Sequence, residues 1–333
     1  AISTLTRLCP PAVDRPPDAG GRVPYTAPSP APESRMTAPR IGIALGSGAA
    51  RGWAHIGVLK ALAAAGVDVA VVCGSSIGAV VGAACAAGRL AEIEAFACGL
   101  TWRGILGQLD LRPVGGGLIA GERVTRTLID LIGHPAIESL ALHYGAVATE
   151  LGSGREVWLR EGSLGTAIRA SMALPGLLVP VPLNGQWLLD GGLVNPVPVS
   201  LCRAMGAELV LAVNLNGGIA GRRRPTPAPL IEDSERRGIG DVLRGGAGNL
   251  LAQLLGGNPA QPGYVDVLVG AVNIMQDQIT RTRLTGDPPD ILMQPRLAHV
   301  GVMEFNRAEE TIAAGEAAMQ ALLPALQGLI GDA

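Results

Sequence analysis

The chain has 333 residues, of which 48% are hydrophobic and 3% aromatic, so it is long enough for one large domain or two modest ones. Its formal net charge is -2, which disfavours nucleic acid as a partner. No stretch of about 18 apolar residues runs without a charge or a proline, so the sequence predicts no transmembrane helix.

The first 39 residues differ in composition from the rest of the chain. Residues 1–39 mix arginine, aspartate and glutamate with frequent proline, and they lack the continuous apolar core of a signal peptide. This composition predicts a disordered N-terminal tail. Met36 comes just before the first predicted strand, and one hypothesis is that the natural chain starts there.

Strands and helices alternate from residue 40 onward. The sequence "RIGIALG" (40–46) predicts a buried strand, and 52–66 predicts a helix that ends at Gly66. A second buried strand is predicted at 67–74, followed by a helix of small residues at 76–88. Further strands are predicted at 143–151, at 207–215 and within "VWLREG" and "GQWLLDGG", and further helices at 163–173 and 306–328.

This alternation predicts an α/β fold with three layers (α/β/α) and a mostly parallel central sheet. We expect one domain over 40–326 and a short C-terminal tail over 327–333. Within the domain, 217–263 is polar and rich in proline and glycine, which predicts a variable surface insertion. Ligands bind such sheets at the carboxyl ends of the strands, so the glycine clusters that follow two strands can face one site.

The segment Gly74-Ser75-Ser76-Ile77-Gly78 matches the pattern G-x-S-x-G between a predicted strand and a predicted helix. Such a sharp turn favours glycine at 74 and 78, because side chains there would collide. The Ser76 hydroxyl would then stand clear of the sheet at a helix N-terminus, which makes Ser76 a candidate nucleophile. The alternative is that Ser76 serves only as the N-cap of the helix.

A second glycine cluster, formed by Gly46, Gly48 and Gly52, directly follows the first predicted strand. Backbone N–H groups near Gly48 and Ala49 would make an oxyanion hole, and Arg51 would hold the loop or add positive charge. A dinucleotide-binding loop is the alternative, although its last glycine comes one residue late here. The alternative for Arg51 is a surface ion pair.

A nucleophilic serine needs a base. Among the four histidines, only His299 fits the chain order of an α/β-hydrolase, and nothing around it adds support; His55 is expected to be packed and hydrogen-bonded. Asp190 ends the apolar segment "WLLD", and Gly191 and Gly192 after it leave the carboxylate accessible as a candidate base. The alternative for Asp-Gly-Gly is a hairpin turn.

The glycine loop, G-x-S-x-G and D-G-G, in this order, resemble the patatin-like phospholipase family. The resemblance is closest to its bacterial RssA-type branch, which is related to the neuropathy target esterase domain, and it runs from about residue 40 to about residue 326. It implies a Ser–Asp dyad without histidine, with Ser76 as nucleophile and Asp190 as base. It places the oxyanion donors on the backbone of Gly48 and Ala49, beside Arg51, although the family usually has glycine where this chain has Ala49.

We therefore expect a serine hydrolase that cleaves lipid or lysophospholipid esters through an acyl-enzyme. Two alternatives are a lipid-binding or regulatory protein without activity on the same fold and a nucleotide-binding oxidoreductase. We expect no cofactor and no metal, since the five cysteines and four histidines show no ligand spacing. A cytoplasmic location is expected, with peripheral contact at the inner membrane face as an open alternative, and the oligomeric state is unknown.

Overall fold

The computed structural model describes residues 39–101, 117–119, 122–217 and 264–331. The predicted N-terminal tail and the predicted insertion lie outside these ranges, except for residues 39 and 217. The strands are β1 (Ile41–Leu45), β2 (Val69–Ser75), β3 (Gly117–Ile119), β4 (His143–Glu150), β5 (Glu156–Leu159), β6 (Gly176–Leu178), β7 (Val181–Leu183), β8 (Gln186–Asp190), β9 (Leu209–Val213) and β10 (Ile291–Met293).

The α-helices are α1 (Ala54–Ala64), α2 (Ile77–Ala86), α3 (Leu90–Cys98), α4 (Glu122–Ile132), α5 (Leu164–Ser171), α6 (Val199–Ala204), α7 (Tyr264–Gly286) and α8 (Ala308–Gly331). Short 3-10 helices cover Ala49–Trp53, Ile137–Ser139, Gly191–Leu193 and Phe305–Arg307. In the part of the chain that the structure describes, no helix is both long and apolar enough to cross a bilayer.

In the larger sheet the hydrogen-bonded neighbours follow the path β10-β9-β1-β2-β4-β8-β7; β2 and β8 pair with successive parts of one edge of β4, and β5 pairs with its other edge. From β10 to β4, every neighbouring pair is parallel. At the other end, β5 and β8 are antiparallel to β4, and β7 is antiparallel to β8. A separate parallel pair joins β3 to β6. The sheet is therefore mostly parallel, as predicted.

Helices cover both faces of this sheet. On one face, Ile43 and Leu45 of β1 are fully buried in a core that includes residues of α1, α2 and α8. On the other face, Ala44 lies in a second core with Val71 of β2 and Leu201 of α6. Since successive strand residues point to opposite faces, a strand covered on both sides is apolar throughout, as in "IGIAL" and "LVLAV". The predicted three-layer α/β/α fold is confirmed.

Two helices near the C-terminus depart from the prediction. α8 continues to Gly331, so residues 327–331, which we expected in a C-terminal tail, are helical. Leu326 is fully buried and Ile330 packs against the core, and these contacts hold the last turns in place. The sequence did not predict α7, because its pattern is inverted: Ile274 and Met275 are exposed, whereas the next residue, Gln276, is buried.

Candidate active site

Ser76 lies between the end of β2 and the start of α2, in the turn that the sequence predicted. Its φ of 56° and ψ of −122° lie in a region that L-residues rarely adopt. The flanking glycines allow the chain to pass closely. A Cβ on Gly78 would lie 2.6 Å from the carbonyl carbon of Leu45, and a Cβ on Gly74 would overlap the backbone of Gly78. The strained turn therefore needs glycine on both sides of the serine.

The two residues proposed as a dyad are in direct contact. The Ser76 hydroxyl donates a hydrogen bond to Asp190 Oδ2 over 2.6 Å. The Gly192 N–H donates to the other carboxylate oxygen, Oδ1, over 2.7 Å. The Asp190 backbone is also held, because its N–H donates to the Ala173 carbonyl over 2.9 Å and its carbonyl accepts from Thr149 Oγ1 over 2.8 Å.

Asp190 is only 1% exposed. Burial raises its pKa to about 6, although the hydrogen bonds from Ser76 and Gly192 act in the opposite direction. The group is therefore mostly ionised at neutral pH, yet it is more basic than an ordinary aspartate. Such a carboxylate can accept a proton from a hydroxyl that is already hydrogen-bonded to it.

Gly191 and Gly192 form the start of the 3-10 helix that follows Asp190. A Cβ on Gly191 would overlap the Val147 carbonyl, and a Cβ on Gly192 would lie 2.5 Å from Ser47 Oγ. Asp190 and its two glycines thus make a tight turn against the glycine loop. In this turn the carboxylate accepts a hydrogen bond from the Gly192 N–H, and a 3-10 helix follows Asp190 in place of a hairpin turn.

The glycine loop begins where β1 ends and is tied down at several points. The Gly46 N–H donates to the Val213 carbonyl over 3.0 Å, and the Ser47 N–H donates to the Pro196 carbonyl over 2.8 Å. Gly48 has extended backbone, with φ 171°, and Ala49 has φ 50°. Within the described residues, no group accepts a hydrogen bond from the N–H of Gly48 or Ala49. These two N–H groups can therefore serve a ligand.

Arg51 is buried in the same loop, with 4% of its surface exposed. Its Nε donates to the Val300 carbonyl over 2.9 Å, and its Nη1 approaches Asn216 Oδ1 at 3.5 Å. Burial lowers the pKa of the guanidinium, and the charge of Glu304 opposes this effect. The first alternative for Arg51, that it holds the loop, fits these contacts better than a surface ion pair. Next to it, Gly52 packs so close to Ile77 that a Cβ would overlap that side chain.

Ser75 and the four histidines make no hydrogen bond to the Asp190 carboxylate. Ser75 is fully buried, and its hydroxyl is hydrogen-bonded to Ser47 Oγ at 3.3 Å rather than to Asp190. All four histidines belong to the described residues, and none is hydrogen-bonded to Ser76 or Asp190. His299 pairs with Glu310 at 2.6 Å on the surface. His55 is buried, as expected, and its Nε2 donates to the Gly46 carbonyl over 2.8 Å. Burial lowers the pKa of His55 to about 4, so the ring is neutral.

Three contacts at the site were not predicted from the sequence. Ser171 Oγ accepts a hydrogen bond from the Ser76 N–H over 2.9 Å. Asn216 Nδ2 donates to Gln276 Oε1 over 3.0 Å, and the Gln276 amide lies against Gly192. The sequence marks these residues only weakly: Ser171 stands near the end of a predicted helix, Asn216 follows a predicted strand, and Gln276 lies next to Asp277. In the described parts of the chain, no group of three or more His, Cys, Asp or Glu residues is placed to hold a metal ion.

The sequence of this chain is similar to those of known proteins, and these similarities identify its family. The family model described as patatin-like phospholipase matches residues 43–203. An NTE family protein of Mycobacterium tuberculosis is 36% identical, over 86% of this chain and 92% of that protein. Lysophospholipase NTE1 of Pyricularia oryzae is 28% identical, over 84% of this chain and 18% of that protein. Patatin-like phospholipase domain-containing protein 6 of Mus musculus is 37% identical, over 54% of this chain and 14% of that protein.

The family match includes the glycine loop, the serine turn and the aspartate turn, all of which lie within residues 43–203. The Mycobacterium tuberculosis relative extends the similarity over most of both chains. The family suggested by the three motifs is confirmed. The chain belongs to the NTE-related group of the patatin-like phospholipase family, a family of lipid ester hydrolases.

Proposed function

We propose that this protein hydrolyses acyl esters of lipids, with Ser76 as the nucleophile and Asp190 as the base. The observation that carries the proposal is the 2.6 Å hydrogen bond from the Ser76 hydroxyl to a buried carboxylate oxygen of Asp190. The carboxylate is placed to accept the proton of the hydroxyl, and it is more basic than an ordinary aspartate because burial raises its pKa to about 6. No histidine is needed to accept the proton.

In the first half of the reaction, Ser76 Oγ attacks the carbonyl carbon of the ester while its proton passes to Asp190 Oδ2. The carbonyl oxygen gains a negative charge as the tetrahedral intermediate forms. The intermediate then expels the alcohol, which takes the proton from Asp190, and an acyl group remains on Ser76. The hydrogen bond from the Gly192 N–H to Oδ1 keeps the other oxygen of Asp190 directed at the serine.

The developing oxyanion would be bound by the N–H groups of Gly48 and Ala49. Both belong to a loop that is fixed through Gly46, Ser47 and Arg51, so the donors are oriented before the substrate binds. Removing one donor of an oxyanion hole typically slows an enzyme by about 10²- to 10³-fold. The methyl group of Ala49 leaves its N–H in place, so the substitution of the family's usual glycine is compatible with this role.

In the second half, a water molecule attacks the acyl carbon and gives its proton to Asp190 Oδ2. Collapse of the second tetrahedral intermediate releases the fatty acid, and Ser76 Oγ recovers its proton from Asp190. The same carboxylate therefore acts as base in both steps and as acid in both collapses.

We propose phospholipids and lysophospholipids as the substrate class, in line with the lysophospholipase name of the relative from Pyricularia oryzae. A cytoplasmic location and a peripheral membrane contact stay predictions.

The proposal is tested by labelling with a fluorophosphonate ester probe and by turnover of a lysophospholipid. We expect wild type to be labelled at Ser76, and Ser76→Ala and Asp190→Asn to lose both labelling and turnover. Ser75→Ala is the matched control, since it removes the neighbouring hydroxyl, and mass spectrometry should still find its label on Ser76. Folded wild-type protein without a label, or with a label on another residue, would contradict the proposal.

A further inference from the structure

Ser171 contacts the backbone of the serine turn from another part of the chain. It is the last residue of α5 and is fully buried. Its Oγ accepts a hydrogen bond from the Ser76 N–H over 2.9 Å. Ser76 is half-buried, and the Ser171 hydroxyl gives its N–H an acceptor within the protein. The contact therefore acts on the very residue whose side chain donates to Asp190.

The backbone of Ser76 is held from both sides. Its N–H is bound by Ser171, and its carbonyl accepts hydrogen bonds from the N–H groups of Ala79 at 2.9 Å and Val80 at 3.4 Å. An unfavourable φ/ψ pair persists only where the surroundings determine it from more than one direction. The carbonyl contacts belong to the start of α2, whereas the N–H contact depends on a side chain. Ser171 is therefore the contact that a single substitution can remove.

The same short segment also holds Asp190. Two residues after Ser171, the Ala173 carbonyl accepts a hydrogen bond from the Asp190 N–H over 2.9 Å. Residues 171–173 thus bind the backbone N–H of each member of the dyad. Because both N–H groups are bound by one short segment at the end of α5, that segment helps to hold the two backbones at their observed separation.

We propose that Ser171 is a positioning residue, whose hydroxyl holds Ser76 at hydrogen-bond distance from Asp190. The inference rests on the proposed function for its effect on turnover, but the geometry it describes can be measured without any reaction. If the Ser76 N–H loses its acceptor, the turn relaxes and Ser76 Oγ moves away from Asp190 Oδ2. A displacement of about 1 Å at a reacting group can slow catalysis by about 100-fold.

The pKa of Asp190 depends on the hydrogen bond that its carboxylate accepts from Ser76, so a titration of Asp190 tests whether Ser171 keeps Ser76 in place. Burial raises its pKa, and the bonds from Ser76 and Gly192 lower it; among the described residues, no charged group contributes to the shift. Two charged residues on the elements that pack against the Asp190 turn have partners of their own: Asp277 of α7 pairs with Arg281 at 2.9 Å, and Arg51 of the glycine loop donates to the Val300 carbonyl. Loss of the Ser76 bond alone should therefore raise the pKa of Asp190 further.

The experiment compares wild type, Ser171→Ala and Ser163→Ala by ¹³C NMR titration of the Asp190 carboxyl, with Asp190→Asn to assign the signal. Ser163 is the matched control, since it is the exposed N-cap of the same helix and accepts the Thr166 N–H over 3.3 Å. For Ser171→Ala we expect the pKa of Asp190 to rise above its wild-type value of about 6. For Ser163→Ala we expect a lower Tm and an unchanged pKa.

Turnover is measured in parallel, and a loss of about 10- to 100-fold in kcat with little change in KM is expected for Ser171→Ala. If Ser171→Ala does not fold, Ser171→Cys takes its place, because it fills the site with a weaker acceptor. An unchanged or lowered Asp190 pKa in the folded Ser171 variant would overturn the inference. An inactive wild type would instead count against the proposed function, while the titration would still decide the role of Ser171.

Discussion

Ser75 and Asp190 occupy consecutive positions along one edge of β4: Ser75 pairs with Val147, and Asp190 pairs with Ala148. Val147 and Ala148 also pair with β5, which occupies the opposite edge of β4. β2 and β8 therefore lie end to end along the same edge of β4. Since β2 is parallel to β4 and β8 is antiparallel to it, the carboxyl ends of β2 and β8 meet. Strand register therefore brings the residue after Ser75 close to Asp190, and the contacts of Ser171 and Ala173 act on the two residues within that arrangement.

The first prediction concerns the pH dependence of catalysis. A base must be ionised to accept a proton, so kcat/KM should fall about tenfold per pH unit below the pKa of Asp190, which burial raises to about 6. His55 does not supply such a limb, because its pKa is lowered to about 4. The measurement is a pH profile of kcat/KM at constant ionic strength, with circular dichroism to verify folding at each pH. A profile that stays flat well below pH 6 would argue against Asp190 as base.

The second prediction is that Asp190→Asn is inactive but more stable than wild type at alkaline pH. The folded protein binds the Asp190 proton more tightly than the unfolded chain, so this carboxyl favours folding at low pH. That contribution is lost as pH rises from the ordinary value of 3.8 through about 6. At pH 8 the ionised, buried carboxylate costs on the order of 2–3 kcal/mol, which the amide avoids while keeping a hydrogen-bond acceptor for Gly192.

This stability effect is measured by urea unfolding of both proteins at pH 8 and at pH 4.5. The advantage of Asp190→Asn should be largest at pH 8 and shrink towards the lower pH. Asp68→Asn is the control, since it makes the same change at an exposed position. If Asp190→Asn is less stable than wild type at both pH values, the carboxylate is not the source of strain that its burial implies.

Much of the site could be predicted from the sequence because its requirements are local. A turn that brings Gly78 against the Leu45 carbonyl excludes any Cβ, and so the glycines around Ser76 are visible as a motif. The free N–H groups of Gly48 and Ala49 also arise within one short loop. The central strands are apolar throughout because they are buried on both faces, which marks them as parallel strands of an α/β fold.

The parts that escaped prediction depend on residues distant in the chain. The bond between Ser76 and Ser171 exists because α5 ends beside the serine turn, and no local motif gives the distance between these two residues. In α7, Gln276 is buried because it lies against Gly192 and Asn216, while the apolar Met275 next to it is exposed. A prediction from periodicity assumes that the apolar residues of a helix are buried, so it misses a helix whose polar face packs against a site.

The last prediction concerns Ala49, where the family usually has glycine. Its φ of 50° costs an L-residue about 1 kcal/mol, whereas glycine adopts this conformation freely. Ala49→Gly should therefore be as stable as wild type or more stable. Ala50→Gly, one residue later, is the matched control, since Ala50 is fully buried and should lose about 0.5–1 kcal/mol or more on the same change. The expected difference between the two variants is about 1–2 kcal/mol in urea unfolding.

Ala49→Gly should also keep its activity, because the substitution leaves the N–H proposed to bind the oxyanion. Its kcat should stay within about tenfold of wild type, well short of the 10²- to 10³-fold loss expected when a donor is removed. A larger loss in a folded, stable variant would mean that the methyl group orients the loop, so that the strained conformation at Ala49 serves catalysis. A loss of stability equal to that of Ala50→Gly would show instead that the φ of 50° is not the conformation that Ala49 adopts in solution.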